Sequence, residues 1–161
     1  MAEAKAKNDL PAPQASPEER RIKYNKAVRL ARLSTIVLSE LSFKVDRTVD
    51  IGSSTKDDTS ASYSGKAGEF DFDPDTGDLS IRISWILKIK IKKKTIMSCS
   101  ASYDVLYNGL EGVDQDIAVL FAENVARPAT YAYFRALYAS LDWSAGMASP
   151  PLPIISFHPK V

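Results

Sequence analysis

The most regular pattern in the chain is an alternation of apolar and polar residues over residues 79–91. Serine, arginine and lysine fill most of the positions between the apolar residues, so the two kinds of side chain face opposite sides of an extended segment. The apolar positions are Leu79, Ile81, Ile83, Trp85, Leu87, Ile89 and Ile91. This period of two predicts a long antiparallel strand with one face in the core and the other in solvent.

Three other segments have strand-like patterns. Residues 34–46 are rich in apolar and β-branched residues near period two, with a bulge expected near Glu40. Phe70 and Phe72 alternate with acidic residues, and residues 97–107 alternate apolar residues with serines on the outer face. Together with residues 79–91, these segments predict four strands.

A turn at residues 74–77 connects the second and third predicted strands. The segment reads Pro-Asp-Thr-Gly, which places proline and glycine where a tight turn needs them. A hairpin closing there sets Phe72 opposite Leu79 and Phe70 opposite Ile81, so that apolar faces meet. Residues 50–68, rich in glycine, serine and aspartate, are assigned to loops and weak edge strands and have no firm structure from the sequence.

Sequence patterns typical of helices lie before and after the four predicted strands. Ser16 precedes proline and two glutamates, a capping pattern that starts a helix over residues 17–31. Residues 114–125 have helical spacing that Pro128 ends or kinks, and a second pattern runs from Thr130 to Leu141 before Gly146, a residue suited to a helix C-terminus. The proline-rich tail beyond is expected to be extended and packed.

The order of elements predicts an α+β protein with a four-stranded antiparallel sheet and helices packed on one face. Residues 1–15 contain Leu10 as their one large apolar residue and are expected to form a flexible tail. Residues 16–161 then form a single domain, because a chain of 161 residues is too short for two sizeable cores.

Composition narrows the functional classes. The chain is 45% hydrophobic and 25% charged, as in ordinary soluble proteins, and its 21 basic residues nearly balance its 20 acidic ones. A dedicated nucleic-acid-binding protein would carry a broad positive field, so that class is disfavoured. With a single cysteine and no apolar signal segment at the N-terminus, the expected location is the cytoplasm.

The residues that usually carry catalysis are scarce. The only histidine, His158, lies in the proline-rich tail, and Cys99 falls on the apolar side of a predicted strand, so neither has a partner for nucleophilic catalysis. One cysteine and one histidine also cannot build a structural zinc site. We therefore expect no enzyme activity, no cofactor and no metal, and we interpret the acidic residues of the hairpin as a solvated turn.

Three motifs in the last third of the chain resemble the SecB family of protein-export chaperones. Residues 109–112 read Gly-Leu-Glu-Gly at the entry to the helices, and residues 150–154 resemble the family's Pro-Pro-Leu tail. Between them, residues 131–137 are similar to its long-helix pattern of aromatic, x, Tyr, x, Arg, x, Leu. Solo and toxin-associated SecB-like chaperones share this resemblance, since an N-terminal helix leading into the first strand is similar to theirs.

The resemblance implies a holdase for unfolded polypeptides, assembled as a homotetramer that is a dimer of dimers. Clients would lie in grooves lined by aromatic and aliphatic side chains, which give broad contact area that tolerates many sequences. The predicted client-binding residues are Tyr103, Tyr107, Phe121, Tyr131, Tyr133, Trp143 and Leu152.

The outer face of the predicted sheet is basic. Family members that deliver cargo to the SecA motor use acidic residues on this face, whereas this chain has Arg82, Lys88, Lys90 and Lys92. We interpret these four residues as a partner-binding surface, either for SecA or for a toxin–antitoxin partner. Lysines at a sheet rim also serve simply to prevent edge-to-edge aggregation, and that explanation stays open.

Two other functional classes fit the same pattern. A small-molecule carrier of the helix-grip type would also wrap an antiparallel sheet around a long C-terminal helix, although it would need more strands. An adaptor or antitoxin-associated interaction protein would use the lysine-rich face. Binding of an unfolded protein in preference to a folded one separates these classes from a chaperone.

Overall fold

A computed structural model describes residues 16–48, 59–147 and 149–154. Its elements in chain order are α1 (Pro17–Leu30), β1 (Arg32–Val45), β2 (Thr59–Asp73), β3 (Asp78–Ile91), β4 (Lys94–Asn108), α2 (Gln115–Phe121), a π-helical turn (Ala122–Ala126) and α3 (Arg127–Ala145). The predicted α+β class is confirmed, with four antiparallel strands and helices against the sheet. The proposed flexible tail, residues 1–15, lies outside the described residues.

The strands form one sheet in the order β1-β4-β3-β2, so β3 and β4 are central and β1 and β2 are the edges. The seven alternating apolar residues of β3 are all buried, as the pattern predicts, whereas Ile86 lies on the opposite face and is exposed. The hairpin register is also as predicted, with Phe72 opposite Leu79 and Phe70 opposite Ile81. The apolar sides of β3 and β4 therefore form the sheet's helix-facing side.

Strand β1 stays in register with β4 only by means of two bulges, between Leu33 and Thr35 and between Leu38 and Glu40. The second is the bulge expected near Glu40. Each extra residue shifts the alternation by one position, so apolar residues on both sides of a bulge reach the same face of the sheet. Six apolar residues of β1 consequently share the helix-facing side: Leu33, Ile36, Leu38, Leu41, Phe43 and Val45.

Strand β2 begins earlier than its composition indicates. The composition of residues 50–68 predicts loops and weak edge strands, and residues 59–68 belong to the edge strand β2, which pairs with β3 continuously from Thr59 to Ala67. Gly65 is required there because a Cβ at this position would lie 2.5 Å from the indole ring of Trp85. This glycine therefore does not mark a loop; it allows a large side chain of the neighbouring strand to pack closely against β2. Residues 50–58 lie outside the described residues.

Helix α1 starts as its sequence predicts. Glu19 donates its backbone N–H to Ser16 Oγ at 3.3 Å, and Ser16 donates its own to Glu19 Oε2 at 2.9 Å, which completes a capping box. The hydrogen bond that the Glu19 carboxylate accepts from the Ser16 backbone N–H, together with one from the Ser16 side chain, lowers the pKa of Glu19. Only Tyr24 and Ala27 of this helix are buried, and ion pairs from Arg20 and Lys23 tie it to the start of α2.

The C-terminal helices form one continuous helical run from Gln115 to Ala145. Pro128 was expected to end or kink the pattern, because it lacks the N–H that an α-helix would use. The chain accommodates it by widening into a π-helical turn at Ala122–Ala126 immediately before α3. Gly146 then ends α3 in the left-handed conformation predicted for it, with φ of 64°.

Over the described ranges 16–48, 59–147 and 149–154, we find no helix with both the length and the apolar character needed to cross a membrane.

Candidate functional site

An aromatic cluster joins the sheet to α3. The ring of Trp85 lies 4.9 Å from that of Tyr131 and 6.0 Å from that of Phe134, measured between centroids. Tyr63 of the edge strand β2 lies 6.2 Å from Tyr131 and is partly exposed. Rings at these distances attract each other in addition to burying apolar area, so the cluster fixes α3 across the sheet.

Two buried hydrogen bonds also fix the orientation of α3 relative to the sheet. Trp85 Nε1 donates to Thr130 Oγ1 at 2.9 Å, and Thr130 Oγ1 donates to the carbonyl oxygen of Arg127 at 2.9 Å. Both polar groups are thereby satisfied inside the core. The indole can occupy this place because Gly65 leaves room for its ring.

The C-terminal segment, residues 149–154, is held along α3. Tyr131 donates its hydroxyl to the carbonyl oxygen of Pro153 at 2.7 Å, and Arg135 Nε donates to that of Leu152 at 2.9 Å. At the other end of the segment, Asp142 Oδ2 accepts the backbone N–H of Ser149 at 3.0 Å. The Leu152 side chain is buried, whereas the three prolines of the segment and Ile154 are exposed.

A groove of about 490 Å³ runs between α3 and the C-terminal segment. Its lining is largely apolar: three alanines of α3 form a shallow floor, followed by Trp143, while Pro151 and Leu152 form the opposite wall. Trp143 is 86% exposed, the highest exposure of any large apolar residue in the described part of the chain. The floor residues are Ala132, Ala136 and Ala139.

The solvent-facing side of α3 has no charged residue. Its exposed positions, apart from the groove residues, include Tyr133, which is 52% exposed, and two serines. Among the charged residues of the helix, Arg127 and Arg135 are half-buried and Asp142 is buried. Arg135 and Asp142 line the groove and are hydrogen-bonded to the C-terminal segment. Uncharged exposed helix faces of this kind are typical of surfaces that bind other polypeptides.

The predicted client-binding residues fall into two groups. Tyr133 and Trp143 are exposed, and Leu152 lines the groove from its buried position. The other four are buried in this conformation: Tyr107 and Phe121 pack edge-to-face at 4.9 Å between β4 and α2, Tyr131 anchors Pro153, and Tyr103 lies under the helices. In the isolated chain, only the first group is accessible to a bound polypeptide.

Two buried groups in β4 have strongly shifted pKa values. Burial raises the pKa of Tyr103 to about 12 and that of the Cys99 thiol to about 11. The Tyr103 hydroxyl has no hydrogen-bond partner among the described residues. Cys99 is a free thiol held in its neutral, unreactive form.

Sequence reasoning missed the groove floor and Tyr63. The alanines at positions 132, 136 and 139 have helical spacing, which places them on one face of a helix. The sequence alone did not indicate a binding site there, because alanine has no functional group. Tyr63 was not predicted as a site residue because the serine-rich segment around it was not recognised as a strand. Its position opposite Leu87 on the helix-facing side follows only from the observed register.

The edge strand β1 presents a second apolar surface. Leu33, Leu38 and Leu41 point to the helix-facing side of the sheet, yet all three are exposed beyond 40%. β1 is an edge strand, and no strand in the described part of the chain pairs with its outer side, where a further strand could be added.

The four predicted partner-binding residues occupy different environments. Lys88 and Lys90 are exposed on the outer face of β3, as predicted. Arg82 shares that face but is committed to Asp104, with Nε to Oδ1 at 2.7 Å, and lies 3.7 Å from Glu69. This pairing raises the pKa of Arg82 and lowers that of Asp104. Lys92 is not in the strand but in the β3–β4 turn, with a positive φ of 55°.

Across the ranges that the structure describes, we find no group of three or more histidine, cysteine, aspartate or glutamate residues arranged to hold an ion.

Comparisons with known proteins identify the fold. No protein-family model and no curated protein sequence matches the chain. Among solved structures, it is similar to the Mycobacterium tuberculosis Rv1957 SecB-like chaperone, solved in complex with a ChAD peptide from the Rv1956 HigA1 antitoxin. The TM-score is 0.71 at 17% sequence identity, and the match covers 84% of this chain and 97% of that one. The fold is therefore SecB-like, as the sequence motifs indicated.

Proposed function

We propose that this protein is a molecular chaperone that holds unfolded polypeptides in the groove between α3 and the C-terminal segment. The observation that carries the proposal is the exposure of Trp143 beside an alanine floor, in a groove whose two charged lining residues, Arg135 and Asp142, are both hydrogen-bonded to the C-terminal segment. Such a surface offers apolar contact without directional demands, so it accepts many sequences. The proposed activity is binding, with no catalysis and no cofactor.

The chemistry of an unfolded segment fits this groove. Its apolar side chains would contact Trp143 and the alanines, whose small size lets a peptide backbone approach α3 closely. The similar Rv1957 protein binds a peptide of an antitoxin, which supports a polypeptide as the ligand here. The groove is open and shallow, and this also favours an extended chain over a compact small molecule.

A small-molecule carrier is less well supported. Such a protein keeps a cavity between its sheet and its long helix, whereas Trp85, Tyr131 and Phe134 fill the space between β3 and α3 with their rings. We therefore favour the chaperone over the helix-grip alternative.

A toxin–antitoxin partner is favoured over SecA. Chaperones of the SecB family that deliver cargo to SecA use acidic residues on the outer sheet face, and the outer face here carries exposed Lys88 and Lys90. Export through SecA stays the alternative assignment. A cytoplasmic location agrees with the buried free thiol of Cys99, since thiols stay reduced there.

We also propose a homotetramer arranged as a dimer of dimers. Two separate apolar surfaces are exposed: the β1 edge with Leu33, Leu38 and Leu41, and the side of α3 around Tyr133. If each surface meets its own copy about a two-fold axis, the two different axes together generate four subunits. Light scattering should give four copies of the 17.7 kDa chain, and Leu38→Glu with Leu41→Glu should reduce it to a smaller species.

The groove is tested by removing its exposed anchor. Trp143→Ser should weaken binding of a labelled, carboxymethylated unfolded protein about tenfold, because a large apolar contact is lost. Ile22→Ser is the matched control, since Ile22 is an exposed apolar residue on α1, far along the chain from the groove. Unchanged binding by a folded Trp143→Ser variant, or an equal loss in both variants, would contradict the proposed site.

A further inference from the structure

The outer face of the sheet points away from α3. The strand register determines which side chains lie side by side in rows across this face. One row runs Lys44, Ser98, Lys88 and Ser62 across β1, β4, β3 and β2. The next row is Ser42, Ser100, Ile86 and Ser64, and the following one is Glu40, Ser102, Ser84 and Lys66. Short serine side chains separate the charged residues, so this face is flat and polar.

Charge is separated along the strands of this face. The half nearer the β3–β4 turn carries Lys44, Lys88 and Lys90, all exposed, while Lys66 shares the middle row with Glu40. The half nearer the β2–β3 turn carries Asp71 and Asp104. The chain as a whole is close to neutral, so the sheet concentrates positive charge that the composition conceals.

Lys44, Lys88 and Lys90 have no ion-pair partner among the described residues, whereas two other cations of the sheet are paired. Arg82 is bound by Asp104 and approached by Glu69, and Lys94, the first residue of β4, is bound by Asp46 at 2.9 Å. Lys88 and Lys90 stand about 7 Å apart along one strand, and Lys44 lies two strands away at about 10 Å. These spacings are within a Debye length, so their fields add.

We propose that this lysine half of the outer face docks an acidic segment of a partner protein. Ile86, exposed at the centre of the half and flanked by Ser64 and Ser100, supplies an apolar anchor inside a polar, basic surround. That arrangement of a central apolar contact within a charged rim is the anatomy of a protein-binding surface. The serine hydroxyls add donors that a carboxylate-bearing segment can use.

The same observations disfavour a nucleic acid. Proteins bind single-stranded nucleic acids through aromatic side chains on which the bases stack. The aromatic residues of all four β-strands, including Phe70 and Tyr63 of β2, lie in rows of the helix-facing side. A longer polyphosphate chain would also run onto the acidic half of the face, where it is repelled.

The docking surface is independent of the proposed chaperone groove, because the two lie on opposite sides of the sheet. A partner could therefore bind the outer face while an unfolded polypeptide occupies the groove. The inference also stands if the groove binds no client.

The test compares two triple variants of the full chain that lose the same charge. One is Lys44→Gln, Lys88→Gln and Lys90→Gln, and the control removes three exposed cations of α1 through Arg21→Gln, Lys26→Gln and Arg29→Gln. Fluorescence anisotropy would measure binding of a labelled oligo-glutamate peptide and of an oligothymidylate of equal charge. Circular dichroism would establish that both variants are folded.

We expect the sheet variant to bind oligo-glutamate about tenfold more weakly than the wild type, from three lost ion pairs of moderate strength. The α1 control should stay within about twofold, and about half-molar salt should abolish the binding. An equal loss in both variants, no binding by the wild type, or binding of oligothymidylate as tight as that of oligo-glutamate would each overturn the proposal.

Discussion

The indole nitrogen of Trp85 donates a 2.9 Å hydrogen bond to the hydroxyl of Thr130, and this contact joins the middle of β3 to the first turn of α3. It is the polar component of an otherwise apolar junction between sheet and helix. The position of α3, and with it the groove and the C-terminal segment, depends on this junction.

Thr130→Val tests the junction. Valine keeps the shape of threonine but leaves the buried N–H of Trp85 without an acceptor, which should lower the free energy of unfolding by about 1–3 kcal/mol. Urea denaturation followed by tryptophan fluorescence measures the change. Thr95→Val, at an exposed strand position, is the control and should change stability little.

Gly65→Ala tests why β2 carries a glycine at its centre. A methyl group there would lie 2.5 Å from the ring of Trp85, so the indole must move and strain its packing, at a cost of about 1–3 kcal/mol. Gly68→Ala in the same strand meets its nearest neighbour, a backbone oxygen of Arg82, at 3.5 Å and should be nearly neutral. Similar unfolding midpoints for both variants would show that Trp85 moves freely.

Tyr103→Phe should raise stability or leave it unchanged. The buried hydroxyl has no hydrogen-bond partner among the described residues, so its removal relieves a desolvation penalty of about 1 kcal/mol. Tyr131→Phe is the contrasting variant, because its hydroxyl donates to Pro153, and it should lose stability. A clear destabilisation by Tyr103→Phe, measured by chemical denaturation, would mean that this hydroxyl is satisfied in solution.

The Cys99 thiol predicts a pH dependence above neutrality. Its pKa in the folded protein is raised from 9.0 to about 11 by burial, so the unfolded chain loses this proton first as pH rises. The resulting stability is fully present below pH 9 and is lost between pH 9 and pH 11. The stability difference between wild type and Cys99→Ala should therefore narrow over that range, whereas a constant difference would contradict burial of the thiol.

Much of this fold could be predicted from the sequence because its central elements follow simple periods. The alternation of β3 determines which of its side chains face the helices. Gly146 supplies the left-handed residue at the end of α3. The serine-rich start of β2 could not be assigned, since the reason for Gly65 is the ring of Trp85, which is distant in the sequence.

The candidate site was harder to predict for a related reason. Alternation places Tyr103 and Tyr107 on the helix-facing side, but it does not say how much of that side the helices cover. They cover β4 but leave Leu33, Leu38 and Leu41 of the edge strand β1 exposed. Exposure of Trp143 and the uncharged face of α3 became evident only from the packing of the helix itself.

The central claim is that the protein binds unfolded polypeptides through distributed apolar contact. The most direct measurement is the anisotropy of one labelled protein, in its carboxymethylated unfolded form and in its native form, titrated with the full chain at low and at half-molar salt. We expect binding of the unfolded form only, and binding that persists at high salt, because salt does not screen apolar contacts. Equal binding of the native form, or loss of all binding at about half-molar salt, would contradict the account.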